Sequence, residues 1–204
     1  MSELSDQYLL RAWIKGDRAA FDALYRRYAA RIYATAYRLT GHWEDAEDTL
    51  QEVFVNLALK ADSIRCGLAL SAWLYRTTIN RATDCLRKRP SNISLESDDP
   101  RTARVIVMES LRREALDREM KNQEQFLKQI GVLIPLLPQR QAAVFVLHGF
   151  QGLAHREIAT VLECSEASSR SSYSLACQKV REWIAEQERQ ELANDQGVNH
   201  GCGL

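Results

Sequence analysis

From residue 21 to residue 39 the apolar side chains Phe21, Leu24, Tyr25, Tyr28, Ile32, Ala36 and Leu39 recur at steps of three and four. Such steps return each side chain to one side of a helix with 3.6 residues per turn, so this stretch predicts a long amphipathic helix with a wide apolar face. Gly41 ends it. A face of that length must be covered by other elements, and the sequence supplies helices for the purpose. Tyr8–Lys15 reads as a short helix closed by Gly16, and Asp17 is placed to cap the long one. Residues 44–60 repeat the pattern with Ala46, Leu50, Val53, Phe54 and Leu57 inward, and Ser71 is placed to cap a fourth helix that runs to Lys88. The β-branched runs Val105–Val107 and Val144–Val146 sit inside longer helical patterns, so no strand is predicted. The expected class is all-α.

The turn-forming stretch from Pro90 to Pro100 separates two apolar units. The expected organisation is two small helical domains, residues 5–90 and 121–187, joined by a flexible linker at 91–120 and followed by a mobile tail at 188–204. Met108–Lys128 is charged and helical in pattern, bridging from the linker into the second unit. The apolar segments of the second unit are Phe126–Leu137, Ala142–Leu147, Ile158–Leu162 and Tyr173–Ile184.

Several classes of function are disfavoured. The longest uncharged run, Gln141–His155, spans 15 residues and carries glutamines and histidines, too short and too polar for a bilayer. Residues 1–20 carry scattered charges and no apolar core of a secretory signal, so a cytoplasmic location is expected. Five cysteines at scattered spacings, Cys66, Cys85, Cys164, Cys177 and Cys202, fit reduced thiols and lack a structural zinc pattern. No Ser-His-Asp, paired-carboxylate or phosphate-loop pattern is present, so neither an enzyme nor a cofactor is expected.

Basic and acidic residues number 27 each, and that balance conceals a strong segregation. Residues 64–93 carry six cations, Arg65, Arg76, Arg81, Arg87, Lys88 and Arg89, against Asp84 alone. On the fourth helix Arg76, Asn80, Thr83 and Arg87 share a face, with Trp73 one turn earlier. That mixture of phosphate-contacting, hydrogen-bonding and stacking groups suits single-stranded or distorted nucleic acid. The opposite charge gathers at Glu44, Asp45, Glu47, Asp48 and Glu52, more carboxylates than a helix N-terminus needs, which suits docking on a basic partner. In the second unit, Leu153–Leu162, the short turn Glu163-Cys164-Ser165 and the following helix have the proportions of a helix-turn-helix, with Ser165 as the cap.

These segments resemble the extracytoplasmic-function (ECF) sigma factors of the bacterial sigma-70 family. The resemblance is carried by Ala20-Phe21-Asp22-Ala23-Leu24-Tyr25 and by Asp45-Ala46-Glu47-Asp48 followed by Gln51-Glu52-Val53-Phe54. It continues in Ala72-Trp73-Leu74-Tyr75-Arg76 with Asn80 and Asp84, and in Leu136-Leu137-Pro138 ahead of the helix-turn-helix. It implies a transcription initiation factor whose region 2 docks on the clamp helices of the largest polymerase subunit through Asp45, Glu47, Asp48, Gln51, Glu52 and Phe54. It implies that Trp73, Arg76, Asn80, Arg81, Arg87 and Lys88, with the loop from Ser63 to Leu70, face an unpaired −10 strand. Region 4 would engage the polymerase flap and read the −35 element with Arg156, Ser165, Ser168, Arg170, Ser171 and Ser174. It further implies a linker through the polymerase channels and an anti-sigma factor as a partner.

Region 4 departs from the family pattern. Glu163 stands where the family usually has glycine, Cys164 where it has an aliphatic residue, and Ala167-Ser168-Ser169 where it has Gly-Thr-Val or similar. The reading helix is rich in serine and poor in cations, and each cation lost removes a phosphate contact, so a low intrinsic −35 affinity is expected. The alternative reading is therefore a sigma-like regulator that depends on an activator, partner or anti-sigma factor for promoter choice. His155, Cys164 and Cys177 near the helix-turn-helix, with His200 and Cys202 in the tail, also permit metal or redox sensing. The apolar helix positions of Cys164 and Cys177 favour plain packing roles.

Overall fold

The computed structural model describes residues 4–64, 70–88 and 130–198. The linker at 91–120, the tail beyond residue 198, and Cys66, Arg89, His200 and Cys202 lie outside them. The described residues form helices and short turns, with no strand among them.

Four helices build the first unit: α1 (Asp6–Ile14), α2 (Arg18–Thr40), α3 (Trp43–Lys60) and α4 (Leu70–Lys88). Asp17 caps α2 by accepting from the Ala19 amide at 3.0 Å, and Gly41 closes it in the left-handed conformation at φ 70°. Helix α2 is the scaffold. Its Leu24, Ile32 and Ala36 are fully buried, against Val53 and Leu57 of α3 and Leu74 of α4, which are buried to the same degree. Tyr25, expected on the inner face, is exposed, because its ring edges the apolar stripe and leans on Phe54 with centroids 4.7 Å apart. Ser71 lies within α4 rather than ahead of it, since the helix already includes Leu70.

Near the start of the chain, Asp6 accepts from Arg27 at 2.5 Å and from the Tyr28 hydroxyl, tying α1 to α2. Burial, and then the hydrogen bond to Asp6, push the Tyr28 hydroxyl well above its ordinary pKa, so it stays a donor.

The second unit contains α5 (Gln139–Phe145), a wider π turn at Val146–Phe150, α6 (His155–Leu162) and α7 (Glu166–Val198). Val144, Val146, Leu147, Ile158 and Ala176 form its buried centre. Helix α7 continues to Val198, into the stretch 188–204 expected as a tail. The Ala, Glu, Gln and Arg content after Trp183 has high intrinsic helix propensity, which favours continuation of the helix.

The two units are docked. One continuous set of buried apolar residues runs from α2 and α4 into α5 and α6. Tyr75 of α4 donates its hydroxyl to Gln151 at 3.4 Å, and the guanidinium of Arg38 in α2 lies 4.4 Å from the centroid of the Phe150 ring.

Candidate nucleic-acid and protein interfaces

Helix α3 has one buried side and one open side because its apolar residues occupy only part of the turn. Glu47, Asp48, Gln51 and Glu52 are exposed, and the same open side continues into exposed Val55 and Leu59. The result is an acidic stripe with an apolar end. Asp45 lies at its edge and is half-buried. Phe54 corrects the sequence reading: it is 4% exposed, in edge contact with Phe21 and tilted against Tyr25, so in this fold it positions α3 and adds almost nothing to its open side.

Helix α4 places the expected cations in three different situations. Arg81 points back to α3 and pairs with Glu52 at 2.6 Å, linking the basic helix to the acidic stripe. Arg87 is exposed and pairs loosely with Asp84 at 3.4 Å, and Lys88 is exposed. Asn80 is exposed on the same face as Arg87. Trp73 is half-buried and packs against the core, a supporting position. The Cys85 thiol is raised above its ordinary pKa by burial and then by the charge of Asp45, which keeps it protonated.

Arg76 is turned toward the second unit. Its Nε donates to the Val161 carbonyl at 2.8 Å, one terminal nitrogen donates to the Thr160 carbonyl at 2.6 Å, and the other pairs with the Glu163 carboxylate. These carbonyls are at the C-terminal end of α6, where helical oxygens lack partners and the helix dipole is negative. The guanidinium therefore acts as a cap delivered from the other domain. Asn80 and Arg140 border the cleft beside it.

The helix-turn-helix is built locally. Glu157 accepts from the Ala154 amide at 2.8 Å to start α6, and Ser165 accepts from the Ser168 amide at 3.0 Å to start α7. Between them Glu163 takes a left-handed conformation at φ 50°, which costs a non-glycine residue roughly 1–2 kcal/mol. On α7, Ser169 and Ser172 are buried, while Arg170, Ser171 and Ser174 are exposed together with Leu175. Arg156 of α6 is exposed. Ser165 has its oxygen occupied in capping, Ser168 accepts from Arg140 at 3.3 Å, and Arg170 pairs with Glu166 at 2.5 Å.

Sequence reasoning missed Arg140, Arg38 and the His148–His155–Tyr173 cluster. Arg140 sits in the first turn of α5, where a cation opposes the helix dipole, and that mismatch was the available signal. His148 and His155 stack with centroids 4.2 Å apart, His155 Nδ1 is 3.0 Å from the Ser169 hydroxyl, and Tyr173 meets His148 edge-on. Burial, then the neighbouring His148, lowers the His155 pKa. Nothing local marks this set, because it unites residues from three elements.

Among known proteins, the family model for sigma-70 region 2 matches residues 24–91, and that for sigma-70 region 4 matches residues 127–180. The ECF RNA polymerase sigma factor SigM of Mycobacterium tuberculosis is 31% identical over 174 residues, which cover 83% of this chain and 79% of that one. This chain is an ECF sigma factor of the sigma-70 family. Solved structures that share the fold include two complexes. One is CnrH in complex with the cytosolic domain of CnrY, with a TM-score of 0.66, 20% identity and coverage of 89% of this chain and 97% of that one. The other is the sigma factor RpoE in complex with the anti-sigma factor NepR from Bartonella quintana, with a TM-score of 0.58, 22% identity and coverage of 81% and 96%. An ECF sigma factor is a transcription initiation factor and belongs to a non-enzymatic class. Among the described residues of this one, no helix is long and apolar enough to cross a membrane.

Proposed function

We propose that this ECF sigma factor docks on core RNA polymerase through the outer side of α3 and holds the unpaired −10 strand on α4. The observation that carries the reading is that one small domain presents an acidic stripe and a basic helix on neighbouring elements. Asp48, Gln51 and Glu52, with Glu47 and Asp45 beside them, form the polymerase surface, and Val55 and Leu59 extend it with apolar area. Asn80 hydrogen-bonds an extruded base. Arg87 and Lys88 contact phosphates, and Arg76 joins them once it leaves α6. Extrusion of a base costs a few kcal/mol, which contacts made only with the open strand offset.

Residues 5–90 and 121–187 serve as regions 2 and 4, and 91–120 threads the polymerase channels between them. Region 4 meets the polymerase flap, and Arg156, Arg170, Ser171 and Ser174 face the −35 element. An anti-sigma factor is the expected inhibitor; the neighbouring fold of RpoE in complex with NepR supports that partner class. The working location is the cytoplasm, where the polymerase is.

The test is run-off transcription with purified core polymerase and a promoter library. Wild type should give full-length products, and Asp48→Arg should lose polymerase co-purification and product by tenfold or more. Retention of both in Asp48→Arg overturns the docking surface. The scarcity of cations on the first part of α7, from Glu166 to Gln178, favours one alternative, a factor that needs a third component for promoter choice. That alternative predicts abortive or absent products until the component is added.

A further inference from the structure

A glycine at position 163 would adopt the left-handed turn without strain, yet the residue is glutamate, and its carboxylate meets Arg76 of the other domain. The same guanidinium also takes the two carbonyls of Thr160 and Val161. Three acceptors from one turn of the second domain thus converge on one side chain of the first. Arg76 shares its helix face with Asn80, Thr83 and Arg87, so the second domain lies over the beginning of that face. An arginine held by three protein oxygens has few donors left for a phosphate or a base.

We propose that Arg76 and Glu163 form a clasp that keeps the free chain closed, with its own helix-turn-helix withholding the α4 face from single-stranded DNA. The strained glutamate is then explained by its carboxylate: the turn tolerates an unfavourable conformation in exchange for a charge at the domain boundary. Opening frees both partners at once, because Arg76 becomes available to the −10 strand and α6 recovers solvent at its C-terminal carbonyls. Tyr75 with Gln151 and Arg38 with Phe150 guide closure around the clasp. The affinity of the chain for the open strand falls in proportion to the fraction of molecules that are closed. The masking half of this inference rests on the promoter role proposed for α4; the clasp itself does not.

The test compares full-length wild type with Glu163→Gln and Glu163→Gly by small-angle X-ray scattering and by titration with a fluorescent single-stranded −10 oligonucleotide. Glu163→Gly relieves the turn, so its melting temperature reports whether the domain remains folded. Glu182→Gln removes the same charge from an exposed site on α7 and controls for net charge. Both Glu163 variants should show a larger radius of gyration and bind the oligonucleotide about threefold more tightly or better, with Glu182→Gln like wild type. Unchanged scattering in both variants overturns the clasp. Expansion with unchanged affinity overturns the masking, as does an equal gain in Glu182→Gln. Expansion with no oligonucleotide binding by any of the proteins overturns the promoter role of α4 and leaves the clasp supported.

Discussion

Helices α4 and α7 both face nucleic acid in the proposed function, and they reach that task from opposite starting points. Helix α4 is rich in cations, but its environment has claimed several of them: Arg76 caps α6, Arg81 pairs with Glu52, and Arg87 is near Asp84. Over its first part, from Glu166 to Gln178, helix α7 has a single cation, Arg170, and its outer side there, with Ser171, Ser174 and Leu175, is open. Charge counted along a sequence therefore overstates the field that α4 offers in the closed chain. It describes α7 better, because serine offers hydrogen bonds without long-range attraction.

The comparison breaks most severely if α7 loses its support. Ile158 is fully buried in the second domain, and Ile158→Ala should destabilise that domain by about 2–5 kcal/mol through lost burial and a residual cavity. Urea denaturation followed by circular dichroism measures it. A shift confined to one of two transitions would show that α4 keeps its own core when α7 fails, whereas a uniform shift would show that the docked units unfold together.

Charge exchange between the helices sharpens the contrast. Ser171→Arg adds a phosphate contact on an exposed position, so its affinity for duplex −35 DNA should gain a salt slope steeper by about 0.9. Arg87→Ala should reduce the corresponding slope on single strands by less than about 0.7, because Asp84 already neutralises part of that charge. Fluorescence anisotropy across a salt series checks both. Equal changes at the two sites would mean that the α4 cations are as available as their count suggests.

The weakest expected effect concerns pH. His155 has a folded-state pKa below its ordinary value of about 6.5, so the unfolded chain binds the proton more readily. Stability of the second domain should be full above about pH 6.5 and should decline as the pH falls below that value. The groups facing His155 are His148, Ser169, Arg170, Glu166 and Tyr173. Thermal melts from pH 7.5 to about 5 should show a shallower decline in His155→Gln than in wild type.

Much of the local structure was legible. The periodic run in α2, the Asp17 cap, the Gly41 stop and the Ser165 cap each depend on interactions within a few residues, and the structure has all four. Where local pattern and packing compete, the reading failed. Phe54 belongs to the segment that marks the polymerase surface, but its position in the helical turn aims it at Phe21. Residues 188–198, expected in a tail for their low apolar content, are helical, and helix propensity does not need apolar residues.

The sequence by itself determined the all-helical class, the two units, the separation of acidic from basic helix and the poverty of cations on the first part of α7, from Glu166 to Gln178. These follow from short-range periodicity and from side-chain charge, which do not depend on where distant elements lie. Only the tertiary structure decided which of those charges are free. Arg76 and Glu163 are 87 residues apart in the chain, and their meeting follows from the packing of α4 on α6, a contact that no local spacing encodes.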